Sequence, residues 1–109
     1  MTSKHQQTIH SEVIIKVIGI HSGKNVTLTL KPAPENTGIQ FIRTDQNNQK
    51  IHVIPKNITA TNRATVLTEN NINIATPEHL LAACYGCNID NLVIEIDNEE
   101  VPILDGSAL

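Results

Sequence analysis

Apolar and polar residues alternate along most of this chain with the period of two that marks a half-buried strand, and one short stretch has the period of a helix. Asn25 to Lys31 is the cleanest strand: Val26, Leu28 and Leu30 fall on one side, Asn25, Thr27, Thr29 and Lys31 on the other. Val13 to Ile18 is an apolar run interrupted only by Lys16, and Gly19-Ile20-His21-Ser22-Gly23-Lys24 after it has the composition of a hairpin connection. Pro32 to Gly38 breaks the pattern. A third strand is predicted from Ile39 to Thr44 and, past the polar loop Asp45-Gln46-Asn47-Asn48, a fourth from Ile51 to Ile54, all antiparallel candidates. Thr65 to Leu67 and Ile72 to Ile74 flank Asn70-Asn71 as a small hairpin. Near the end, Leu92, Ile94 and Ile96 alternate with Val93, Glu95 and Asp97.

The helix is predicted from Pro77 to about Tyr85. Thr76 suits the N-cap, Pro77 the first helical position and Gly86 the stop, while Leu80, Leu81, Ala83 and Cys84 are available for burial. The fold class that follows is α+β: a two-layer domain with a mostly antiparallel sheet, one short helix packed on it and a small hairpin insert. One short helix does not cover so many strands, so an exposed apolar sheet face is expected unless another segment or subunit packs there. Asp105-Gly106-Ser107 has the form of a turn into a further helix, with Asp105 or Ser107 as its cap, and only two residues follow it. A second helix and a C-terminal continuation are therefore expected beyond these residues.

Composition narrows the function classes. A chain of 109 residues makes one domain at most, with a thin core. Phe41 and Tyr85 are its whole aromatic complement, so base-stacking platforms are absent, and a net charge of −3 without a Lys/Arg cluster offers no footprint for a nucleic acid. The opening residues are polar and no apolar run approaches the length of a membrane span or a signal core, which leads to the expectation of a cytoplasmic protein with its two cysteines as free thiols. Residues 1–8 read as a polar tail and 9–109 as the domain, without repeats or linkers.

Candidate chemistry concentrates at Thr76-Pro77-Glu78-His79-Leu80-Leu81. The positive end of a helix dipole favours an ionised carboxylate and disfavours imidazolium, so a first-turn Glu78 can accept a proton while His79 stays neutral enough to bind a metal. The pair reads as base plus ligand. The structural alternative is that Glu78 compensates the dipole and His79 is an ordinary surface residue.

Five blocks now carry a resemblance: Gly19 to Lys24, Val26 to Pro34, Thr76-Pro77-Glu78-His79-Leu80-Leu81-Ala82-Ala83, Ile89 to Glu95, and Val101-Pro102-Ile103-Leu104-Asp105-Gly106-Ser107-Ala108. In this order they resemble UDP-3-O-acyl-N-acetylglucosamine deacetylase, the zinc amidohydrolase of lipid A synthesis, over the first of that family's two similar domains. The resemblance implies that Glu78 is the general base and His79 one ligand of a single Zn2+ ion. It also implies hydrolysis of the acetamide of a UDP-linked acylated N-acetylglucosamine to acetate and a free amine. The family's other two ligands, a His and an Asp four residues after it, and the His that serves as acid or electrostatic partner, belong to the second domain. None of His5, His10, His21 and His52 has an Asp four positions on. The expectation is thus half an active site, needing the C-terminal domain or a complementary chain, and no turnover by these 109 residues alone.

Three further residues acquire weaker roles from the resemblance. His21, bracketed by Gly19 and Gly23, lies where the backbone can turn sharply towards a site, or is a solvated turn histidine. Arg63 sits in a loop that borders the family's active site and can meet substrate phosphate or hydroxyl, or faces solvent. Asp105 matches the family's Asp-Gly-Ser turn, as a helix cap with a supporting part at the site.

Two readings from other classes compete. Cys84-Tyr85-Gly86-Cys87 has the spacing of a thiol redox or metal module, but it falls at the predicted helix C-terminus, where the dipole opposes thiolate, and no second pair completes a zinc knuckle. Small buried hydrophobes describe these cysteines better. A noncatalytic interaction domain using the exposed sheet face is the other alternative. The zincin patterns are absent.

Overall fold

The computed structural model of the chain describes residues 6–18, 23–60 and 65–102. Eight strands and one α-helix run in the order β1 (Val13–Ile18), β2 (Asn25–Pro32), β3 (Ile39–Arg43), β4 (Gln49–His52), β5 (Ile58–Ala60), β6 (Thr65–Glu69), β7 (Ile72–Ala75), α1 (Glu78–Gly86) and β8 (Leu92–Ile96). The α+β class expected from the pattern is what forms. The large sheet has strand order β1-β2-β8-β3-β4, and β5-β6-β7 make a second, smaller sheet. Among the described strands pairing is antiparallel except between β3 and β8, which run parallel, and an isolated bridge between Ala75 and Glu100 is parallel too. That mixed pairing follows from topology: β8 returns after the small sheet and the helix and inserts between β2 and β3.

The alternation seen in the sequence becomes a row of side chains across five strands. Val13 pairs with Leu30, Leu30 with Ile94, Ile94 with Phe41 and Phe41 with Ile51, all on one face. Phe41, Ile51, Leu92, Ile94 and Ile96 are fully buried, and one apolar cluster joins them to Leu67 and Ile74 of the small sheet and to Leu80, Leu81 and Cys84 of α1. The core therefore lies between the large sheet and a layer made of α1 and the small sheet, with burial of each large side chain contributing about 1.5–3 kcal/mol.

Several local expectations need correction. The fourth strand is Gln49–His52 rather than Ile51 to Ile54. Asn47 and Asn48 both take positive φ, so the turn closes at once and Gln49 already pairs with Arg43. At the other end, Pro55 opens a single 3-10 turn, Pro55–Asn57, and draws Ile54 out of the ladder. The insert is a three-stranded sheet rather than a hairpin, because Ile58–Ala60, with no burial alternation to mark it, adds a strand. The third strand ends at Arg43, although Thr44 N–H still reaches Ile96 O at 3.0 Å. Gly86 lies inside the helix, and Asn88, at φ 58°, takes the left-handed position after it. Asn88 N–H then donates to Tyr85 O and Ile89 N–H to Cys84 O, each at 3.0 Å, the Schellman pattern that satisfies the last carbonyls.

Among the described residues, exposed apolar side chains gather most on edge strand β1, where Val13, Ile14 and Ile18 are 42, 56 and 66% exposed, with Ile54, Ile58 and Tyr85 exposed elsewhere. An apolar cavity of about 360 Å³ opens between this edge and α1, lined by Ile15, Leu30, His79, Leu80, Cys84 and Pro102 among others. Gln6 to Thr8, at the end of the polar tail, are hydrogen-bonded to the domain. Gln7 N–H donates to the Asp90 carboxylate at 2.8 Å, Gln7 O accepts from Asp90 and Asn91, and Thr8 Oγ1 accepts from Ala33 N–H. No helix among the described residues is long and apolar enough to cross a membrane.

Candidate active site

Glu78 and His79 open α1 together. The N-cap is Pro77, not Thr76: Pro77 has helical φ and ψ of −82° and −6°, its carbonyl accepts the first helical bond from Leu81 N–H at 3.0 Å, and no side chain among the described residues caps the helix. Thr76 instead sits at φ 52° and turns its hydroxyl away from the helix, towards Ala75 O at 2.8 Å and Val101 O at 3.1 Å. The first-turn N–H groups, without a side-chain cap among the described residues, leave a positive end beside the two candidate side chains.

The two side chains stand in different surroundings. Glu78 is half-buried, and its Oε2 is a buried oxygen without a hydrogen-bond partner among the described residues. A buried carboxylate oxygen left in this state carries a desolvation cost, which a proton donor arriving at the site would relieve. His79 is exposed and lines the apolar cavity. The site thus consists of one inward acid and one accessible imidazole, adjacent in sequence and held at a helix start.

No group of three His, Cys, Asp or Glu side chains among the described residues is arranged to hold a metal ion. His79 and Glu78 fit one side of a zinc–water site in donor chemistry, and the described residues do not complete it. His21, Arg63 and Asp105, the other candidate residues, lie outside the described residues. Cys84 is buried in the helix and Cys87 is exposed just past its end, both as free thiols. Burial pushes the Cys84 thiol above its ordinary pKa, with the neighbouring Cys87 adding to the shift, the opposite of what a reactive thiolate requires.

Two polar clusters that sequence reasoning missed hold the elements around the site. Arg43 is buried and forks onto Asp45 at 2.8 and 2.6 Å while its Nη1 donates to Asn73 O in β7 at 2.8 Å. Glu69 of β6 accepts from His52 N–H at 2.8 Å and from Asn57 Nδ2 at 3.0 Å, and its carboxylate lies 3.1 Å from His52 Nδ1. Both tie the small sheet to the large one, Arg43 through β3 and the Glu69 cluster through edge strand β4.

Residues 6–109 match the family described as UDP-3-O-acyl N-acetylglycosamine deacetylase, and the chain belongs to that family. It is 48% identical over 104 residues to the UDP-3-O-acyl-N-acetylglucosamine deacetylase of a Nitratiruptor species, which covers 95% of this chain and 35% of that protein. It is 50% identical over 105 residues to the protein of the same name from Oleidesulfovibrio alaskensis, covering 95% of this chain and 34% of that one. With the protein of that name from Chlamydia abortus it shares 44% over 108 residues, 99% of this chain and 39% of the relative. The chain therefore spans well under half the length of these relatives.

Proposed function

We propose that this chain is the first domain of a zinc-dependent deacetylase that removes the N-acetyl group of a UDP-linked acylated N-acetylglucosamine in lipid A synthesis. Family membership supports the reaction class, and the relatives' names supply the substrate class. The observation that carries the site assignment is the buried Glu78 Oε2, without a partner among the described residues, next to the exposed His79 imidazole at the start of α1.

His79 would be one ligand of the ion, which when bound supplies a water acidified to a pKa near about 7 and a Lewis acid for the amide carbonyl. Glu78 would be the base that holds and takes the water's proton. The leaving amine takes a proton in turn, from an acid proposed to lie outside the described residues. One imidazole does not hold zinc tightly, so the 109-residue chain by itself is proposed to be inactive, with the other ligands coming from a second domain or a complementary chain. His21, Arg63 and Asp105 remain proposed substrate-side or supporting positions.

The test is metal content and acetate release by the complete protein, before and after His79→Ala. Loss of both with the fold intact is the expected result; full zinc occupancy and turnover in the variant would overturn the assignment.

A further inference from the structure

We infer that Thr76 is a positioning residue for the Glu78–His79 pair, a hydroxyl-locked left-handed joint that aims the start of α1. This inference rests on the deacetylase reading for its kinetic consequence, and on backbone geometry for its structural one.

Thr76 stands at φ 52°. Every other non-glycine residue with positive φ among those described is an asparagine, a residue that visits this region readily. A β-branched side chain does not, because its Cβ substituents crowd the flanking peptide groups, so such a conformation persists only where the surroundings over-determine it. They do so here. Thr76 N–H donates to Thr65 O at 2.9 Å, which fixes the joint to β6. Its hydroxyl has one proton, shared between Ala75 O at 2.8 Å and Val101 O at 3.1 Å, which fixes it to the segment after β8. That segment is itself bound to the residue before the joint: Ala75 N–H donates to Glu99 O at 2.7 Å and Val101 N–H to Ala75 O at 3.0 Å.

Thr76 is thus the point where β6, the end of β7 and residues 99–101 meet, two residues before Glu78 and three before His79. Thr65, its partner on one side, directly follows the 61–64 stretch that contains Arg63. Val101, its partner on the other, lies four residues before Asp105. A left-handed residue followed by Pro77, whose φ is fixed by its ring, leaves the chain a single direction in which to start the helix. The direction places Glu78 inward, with Oε2 buried and without a partner among the described residues, and His79 outward. An N-cap threonine would have spent its hydroxyl on the helix N–H groups; this one spends it on the neighbouring strand segment, which aligns the helix rather than capping it.

The experiment compares Thr76→Ser, Thr76→Val and Thr76→Gly in the complete protein by steady-state kinetics, thermal melting and NMR of the His79 imidazole in the zinc-free state. Thr76→Ser keeps the hydroxyl and should hold kcat within about twofold, whereas Thr76→Val and Thr76→Gly should lose about tenfold or more in kcat with KM little changed, as displaced catalytic groups do. Glycine adopts positive φ without strain, so its variant should melt near the wild-type temperature while still being slow, separating aim from stability. The valine and glycine variants should move the His79 imidazole resonances, and the serine variant should leave them in place. Wild-type kcat in Thr76→Gly, loss confined to KM, or a Thr76→Ser as slow as Thr76→Val would overturn the inference. An inactive wild-type protein would count against the deacetylase reading instead, and the imidazole resonances would then decide the role of Thr76: unmoved in the valine and glycine variants, they refute it.

Discussion

Arg43 of β3 donates from Nη1 to the backbone carbonyl of Asn73 in β7 at 2.8 Å, so a buried guanidinium joins the large sheet to the strand that runs into the candidate site. The same guanidinium holds the Asp45 carboxyl below its ordinary range, chiefly through their hydrogen bonds. Arg43→Ala should lower stability by about 1–3 kcal/mol, since it removes a buried side chain and leaves the Asn73 carbonyl and the Asp45 carboxylate without their donor. Arg43→Lys should recover only part of the loss, a single ammonium being unable to fork onto Asp45 and reach Asn73 together. Urea unfolding checks both: the midpoint should fall with the slope unchanged.

Glu69 performs the corresponding task at the open edge of β4. Its carboxyl lies below the ordinary value of 4.5, first because of the hydrogen bond from the His52 amide and then that with the His52 ring, against a burial effect of opposite sign. A carboxyl whose folded-state pKa is depressed stabilises the fold above its unfolded value and loses that contribution as pH falls through the folded one. Stability should therefore drop from about pH 5 downward more steeply in wild type than in Glu69→Gln. At neutral pH Glu69→Ala should cost about 1–3 kcal/mol by depriving His52 N–H of its acceptor. Thermal melts from acid to neutral pH measure this, and parallel acid limbs would contradict it.

The β6–β7 turn carries Asn70 and Asn71 at φ 56° and 64°. Two successive left-handed residues are what a tight turn between right-twisted strands needs. Asn71→Gly should be neutral or stabilising by a few tenths of a kcal/mol, and Asn71→Val should destabilise by about 1–2 kcal/mol. Equal stability of the two variants would contradict the turn geometry.

For the cysteines, alkylation near neutral pH should label exposed Cys87 in the folded protein and reach buried Cys84 only on unfolding. Fast labelling of Cys84 in the native state would revive the thiol-module alternative.

The sequence made the strands of the core legible because each has one buried face: Val26 and Leu28, Phe41, and Leu92, Ile94 and Ile96 announce themselves by alternation. The parallel pairing of β3 with β8 was not legible, since strand order depends on long-range insertion rather than on local pattern. Ile58–Ala60 escaped because all three of its residues are exposed. At the candidate site, the helix start at Glu78 and His79 is legible in the sequence, but the place of Thr76 is not. A threonine before Pro-Glu-His has the composition of a cap, and only the backbone angle reveals that its hydroxyl is engaged elsewhere. His52, Asn57 and Glu69 gave no signal because their contacts join residues 5 to 17 positions apart through turns no motif encodes.

If Glu78 is the base of a hydrolytic site, acetate release per bound zinc by the complete protein separates wild type from Glu78→Gln. A loss of about 10²–10⁴-fold in kcat with zinc retained is expected. Turnover by Glu78→Gln at the wild-type rate would contradict it.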